Sequence, residues 1–265
     1  MKRFLVGVLV ITATVTLVAG KQHWDEKLDS VYTKTEQAAV KVKAETQDSS
    51  TEEIILTAAE RKDEIAHLTK NLPNELKSKF AEAAPENPLQ LAILGSASTS
   101  LHETAWPNLL KKDLLKSYGE NYITITIQEI KQKTSAEVVK EMLYQETAAA
   151  KPDILLIEPF LLYDNGKVTM PNRLENLTTM LNEFRNANKD ISILIQPANP
   201  IPDSFHYPKE EYDLKRFAKR NNYIYLNHWG AWPDKLTDHL TKDNLPNEEG
   251  NKIWAGFLAK YFINM

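Results

Sequence analysis

The chain has no cysteine among its 265 residues. That excludes disulfides, thiolate catalysis, cysteine-ligated zinc and a lipid-anchor cysteine. Glycine is scarce as well, eight in all, and none falls in a GxGxxG or GxxxxGK[S/T] pattern that would cradle phosphates. No histidine pair has the HExxH spacing of a helix-borne zinc site, so neither a metal nor a cofactor is expected. Acidic residues outnumber basic ones by 36 to 32, a formal net charge of −4, and the basic footprint of nucleic-acid binding is missing.

What is present begins at the N-terminus. Met1, Lys2 and Arg3 precede an uncharged apolar run, Phe4 to Ala19, closed by Gly20 and Lys21. This is the layout of a signal peptide cleaved around Val18-Ala19-Gly20. The run is just short of the about 20 residues that span a bilayer, so an uncleaved anchor is a second reading and a buried core helix a third. Under the first two, residues 1–20 contact the membrane and the remainder works outside the cytoplasm of a bacterium. From 21 to 88 glycine is absent and polar residues dominate. Ile54, Ile55, Ala58, Ala59, Ile65 and Leu68 form a thin amphipathic stripe that Leu72, Leu76 and Phe80 continue around Pro73, with a polar break at 43–53. The expectation is a helical stalk or linker over 21–88; a partner-binding coiled coil would need sustained heptads.

After Pro88 the rhythm becomes regular. Apolar runs at 89–94, 122–127, 154–157, 191–195 and 223–226 suit strands. Amphipathic stretches at 106–118, 135–144, 172–186, 209–219 and 247–261 suit helices. Strands alternating with helices, mostly apolar on both faces, predict a three-layer α/β/α sandwich on a parallel five-stranded sheet over 89–265. Ligands of such sheets sit beyond the carboxyl ends of the strands. The first of these ends reads LAILGSASTS, in which Gly95 permits a tight turn and hands serines to the mouth of a helix.

The order of elements, the Gly-Ser turn and the closing phrase DNLPNEEGNKIWAGFLAKYF resemble the SGNH/GDSL hydrolase superfamily. Pro246, Asn247, Gly250 and Trp254 fit its closing Asp-x-x-His-Pro-Asn-x-x-Gly frame, and the similarity spans roughly 89–265. It implies a flavodoxin-like sheet order and a serine esterase or acyl-transfer reaction on a small ester or an acylated envelope substrate. Carried over by position, Gly-Asp-Ser falls on Gly95, Ser96 and Ala97, with alanine at the nucleophile. The second-block glycine has no counterpart between Gln128 and Ser135. The third block, Gly-x-Asn-Asp, falls on Glu158-Pro159-Phe160-Leu161, with Asp164-Asn165 a few residues beyond. The closing histidine and aspartate fall on Leu245 and Lys242, with Asp243 one residue off.

Two readings follow, beside an ordinary α/β domain with its site elsewhere. In one, a rearranged triad uses Ser96 or Ser98 as nucleophile, His228 or His102 as base, and Asp243 or Glu158 as orienting carboxylate. In the other the fold survives without catalysis, and aromatics such as Trp106, Phe160, Tyr207, Trp229 and Trp232 line a binding cleft. The structural alternative for His228 is a hydrogen-bonded core histidine, and for Glu158 a carboxylate that holds a loop.

Overall fold

A computed structural model describes residues 58–264. Its centre is a five-stranded, wholly parallel sheet: β1 (Leu89–Gly95), β2 (Ile123–Glu129), β3 (Ile154–Ile157), β4 (Ser192–Ile195) and β5 (Ile224–Tyr225), in the order β2-β1-β3-β4-β5. The alternation of YITITI has a plain cause, because β2 is an edge strand whose Thr124 and Thr126 face solvent while Ile123 and Ile125 are buried. Central strands carry apolar side chains on both faces. Leu91, Ile93, Ile154 and Leu156 pack into one half of the core, and Ala92, Leu94, Leu155 and Ile157 into the other.

The chain starts with α1 (Ala58–Leu68) and α2 (Asn74–Glu82). The crossover from β1 to β2 is α3 (Trp106–Tyr118), which lies on the first face with α1, α2 and the last helix, α9 (Glu248–Phe262). Crossovers in the other direction across the sheet put α4 (Ser135–Lys140), α5 (Gln145–Ala149), α6 (Leu161–Asp164), α7 (Met170–Ala187) and α8 (Tyr207–Arg220) on the second face. One hand of crossover requires this division. The segment expected as one helix over 135–144 is broken: α4 stops after Lys140, and Met142 takes a left-handed φ of 53° before α5 begins.

The stalk expected over 21–88 is corrected from residue 58 onward; the rest of it, and residues 1–20, lie outside the described residues. Ile65, Leu72, Leu76 and Phe80 are buried in the same core as β1, and the Phe80 ring lies 4.4 Å from that of Tyr118. Lys79 Nζ donates to Asp190 O, and Asn264 N to Leu68 O at 2.7 Å. The amphipathic stripe was legible as a helix face, but period does not say what that face packs against. Leu76→Ala should therefore cost about 2 kcal/mol or more of global stability in urea denaturation, the penalty of a core leucine; a surface-spacer residue would shift the midpoint within about 0.5 kcal/mol.

Among the described residues no helix is long and apolar enough to cross a membrane.

Candidate functional site

β1 ends at the point where the chain reverses its direction across the sheet, between β2 and β3. The turn after it is tight: Thr99 N donates to Ser96 O at 2.8 Å. A Cβ at Gly95 would fall within the Thr99 side chain and 3.0 Å from Glu158 Cβ, so only glycine admits this approach. Glu158, at the end of β3, closes the turn from the other side. Its Oε2 accepts from Ser96 N (2.8 Å), Ser96 Oγ (2.6 Å) and Thr99 Oγ1 (3.4 Å), and its Oε1 from Phe160 N (3.1 Å). Burial pushes the Glu158 carboxyl up to about 7, against the downward pull of those donors.

Ser96 and Glu158 thus form a hydroxyl–carboxylate pair at the reach a nucleophile and base need. Both are wholly buried, and neither lines the neighbouring cleft. That cleft, about 280 Å³, opens at the carboxyl edge of the sheet. Ala97, Ser98 and His102 line it from the β1–α3 turn, and Thr241, Leu245 and Asn247 from the segment entering α9. Glu129, the last residue of β2, and Glu248 add two carboxylates.

The tail frame has physical reasons. Asn247 caps α9, its Oδ1 accepting from Gly250 N at 3.0 Å, while its Nδ2 donates to Asp238 O. Gly250 lies where a Cβ would collide with the His239 carbonyl and the Trp232 ring. One turn on, Asn251 Oδ1 accepts from Trp106 N at 2.8 Å, which ties the start of α9 to the start of α3. Asn199 makes the second tie: its Oδ1 accepts from Ser98 Oγ (2.9 Å), and its Nδ2 donates to Asn244 O (2.8 Å). The two walls of the cleft are therefore pinned to each other by amides.

Of the expected catalytic residues, Ser96 and Glu158 meet, but no histidine joins them. His228 is buried, and Trp232 Nε1, which can only donate, bonds to its Nδ1 at 2.9 Å. The imidazole is thus a neutral ring whose Nε2 hydrogen goes to Pro197 O at 3.0 Å. Desolvation lowers it to about 3, despite the Pro197 carbonyl. The ring stacks on Trp254, centroids 4.0 Å apart, and Trp254 stacks on Trp106 at 4.7 Å. Both nitrogens are occupied and neither meets a serine, so His228 is corrected from candidate base to structural histidine. Ser98 lines the cleft, but its hydroxyl donates to a neutral amide. His102 lines the same cleft, exposed, with Nδ1 3.0 Å from Thr104 Oγ1, and no hydrogen bond joins it to Ser96 or Ser98. Asp243 is exposed in the loop before α9 and orients no histidine among the described residues. Asp164 is buried elsewhere, its Oδ1 accepting from Ser135 N at 2.7 Å.

The aromatic-lined cleft does not form either. Trp106, Phe160, Tyr207 and Trp232 are core residues, and none of the five named aromatics borders the cleft. Residues that do border it and escaped the sequence reading are Glu129, Thr241 and Asn251. Their only signals were the carboxyl end of β2, placed two residues short, and the position four after Asn247.

No protein-family model matches the chain, and no curated protein matches it. Solved structures do. A lipolytic protein of the G-D-S-L family from Desulfitobacterium hafniense DCB-2 is 17% identical, with a TM-score of 0.53 over 64% of this chain and 98% of that one. A family 3 carbohydrate esterase from Talaromyces cellulolyticus is 15% identical, with a TM-score of 0.56 over 65% and 95%. A catalytic mutant of an acetylxylan esterase from Geobacillus stearothermophilus is 15% identical, with a TM-score of 0.56 over 65% and 93%. These likenesses show that the α/β body of this chain has the SGNH/GDSL fold.

Proposed function

We propose that the cleft is an ester- or acyl-handling site of the SGNH/GDSL type, that it serves an envelope-associated substrate outside the cytoplasm, and that it holds this ligand without a histidine-activated serine. One observation carries the reading. Ala97 and Leu245, the positions onto which the nucleophile and the base fall, line the same cleft. That placement supports the carried-over register, in which the two groups that would do the chemistry are apolar. Recognition needs only the cleft and its polar groups, whereas a hydroxyl attacks an ester carbonyl at useful rates only with a base beside it. The esterase activities named for the similar structures support the ligand class. The signal-like run at residues 1–20 supports the compartment.

A second reading, hydrolysis by Ser98 with His102 as base, is favoured by the presence of both in the cleft. The test is to titrate the chain with a short-chain aryl ester and with an acetylated sugar, following binding by NMR and turnover by product release. The expected result is saturable binding, lost when Ala97→Trp fills the cleft, with turnover equal to background in wild type, Ser98→Ala and His102→Ala. Turnover in wild type that falls about 100-fold or more in both variants would establish the second reading instead, because a general base supplies rates of that order. Absence of both binding and turnover would overturn the ester assignment.

A further inference from the structure

Helix α8 conceals its charge in the sequence. YPKEEYDLKRFAKR holds five cations and three carboxylates, close to balance. In the folded chain all three carboxylates are engaged. Glu211 is buried and accepts from Tyr225 Oη (2.8 Å) and Asn227 Nδ2 (3.1 Å). Glu210 is paired at 2.7 Å with the buried guanidinium of Arg173 on α7. Asp213 is paired at 2.8 Å with Lys209, one turn before it. Lys215, Arg216, Lys219 and Arg220 are all exposed, and none forms an ion pair with a described residue. Arg216 lies over the ring of Tyr212, itself an exposed aromatic (5.8 Å to the centroid). The field extends onto α7, where Arg185 lies 4.7 Å from the ring centroid of Tyr223, just past the end of α8.

We propose that this outer face of α8 docks on an anionic phospholipid bilayer. A chain of net charge −4 has no general attraction to such a surface, so four neighbouring cations cleared of counter-charges make a local exception. Clustered lysines and arginines are what anionic headgroups attract, with an exposed aromatic beside them suited to the interface. The apolar run at Phe4–Ala19 is consistent with a chain that works beside a membrane. The proposal does not depend on what the cleft binds.

The test uses the full chain, in which residues 1–20 are common to all variants and cancel in the comparison. Partitioning onto phosphatidylglycerol-containing and pure phosphatidylcholine vesicles is measured at low and high salt. The wild type is compared with Lys215→Gln/Arg216→Gln/Lys219→Gln/Arg220→Gln, and with a Lys111→Gln/Lys112→Gln/Lys116→Gln control on α3. Each cation near an anionic surface is worth about fivefold in partitioning. The α8 variant should therefore lose about a hundredfold or more of the preference for anionic vesicles, and the α3 control should keep most of it. The preference should also fade at high salt. Circular dichroism confirms that both variants fold. An unchanged preference in the α8 variant, or an equal loss in the control, would overturn the proposal. So would capture by a soluble polyphosphate with no preference between the vesicles, which would point to a polymer partner instead.

Discussion

Gly95→Ala should lower global stability by about 3 kcal/mol or more, the upper end of what overpacking costs where the surroundings cannot relax. The added methyl would overlap the Thr99 side chain, with Thr99 Cβ at 2.8 Å and Glu158 Cβ at 3.0 Å. Neither neighbour is the loose end of a flexible chain. Thr99 is β-branched and stiff at χ1, and Glu158 is held by four donors. Relief must come from the backbone, where the turn moves away from β3 and the cleft wall moves with it. Urea denaturation reads the loss, and Gly230→Ala is the control, since nothing lies within 4 Å of a Cβ there. Combining Gly95→Ala with Thr99→Gly should recover about 1–3 kcal/mol relative to the sum of the single effects, as for residues in contact. Strict additivity would mean that the clash is not the cause.

The second large effect is a change in how stability depends on pH. Glu158 stands at about 7 in the folded chain against an ordinary 4.5. Between those values the native state keeps a proton that the unfolded chain releases, so its contribution falls as pH rises, by about 3 kcal/mol in all, and is flat above. His228 stands at about 3 against 6.5. There the unfolded chain takes up a proton that the native state refuses, and stability rises with pH through that window. From 4.5 to 6.5 the two slopes oppose each other at one proton each. Tyr207 and Tyr163 are pushed upward chiefly by burial and stay neutral throughout. Glu158→Gln should therefore expose the histidine's rising limb, about 1.4 kcal/mol per pH unit steeper than wild type between those values. His228→Gln should tilt the profile the opposite way. Denaturation at a series of pH values measures both, and variants whose slopes matched the wild type would sink the account.

The sheet was legible to within a residue or two at almost every strand, because burial on both faces leaves uninterrupted apolar runs such as ILLI at 154–157. The edge position of β2 was present too, in its threonines, for a reader who took alternation as one wet face. The first two helices were not placed, since Leu76 and Phe80 announce a buried stripe without naming the sheet it covers. At the site, the roles of Gly95 and of the Asn247-Gly250 cap were legible, because steric close approach and helix capping are local demands written in single residues. Hydrogen-bond partners across 30 or 60 residues are not local. Nothing near His228 in the sequence says that the proton of Trp232 and the carbonyl of Pro197 claim both its nitrogens. Glu158 likewise reads as orienting carboxylate or tether until Ser96, Thr99 and Phe160 are seen converging on it.

The stacked rings beneath the cleft also make the molecule optically lopsided. Four of its five tryptophans, Trp106, Trp229, Trp232 and Trp254, lie at the carboxyl edge of the sheet. With Trp24→Phe in place, tryptophan fluorescence excited apart from the ten tyrosines reports that edge alone. Far-ultraviolet dichroism reports helices on both faces. A melt followed by both signals would separate loosening of the cleft from loss of the fold without any added probe.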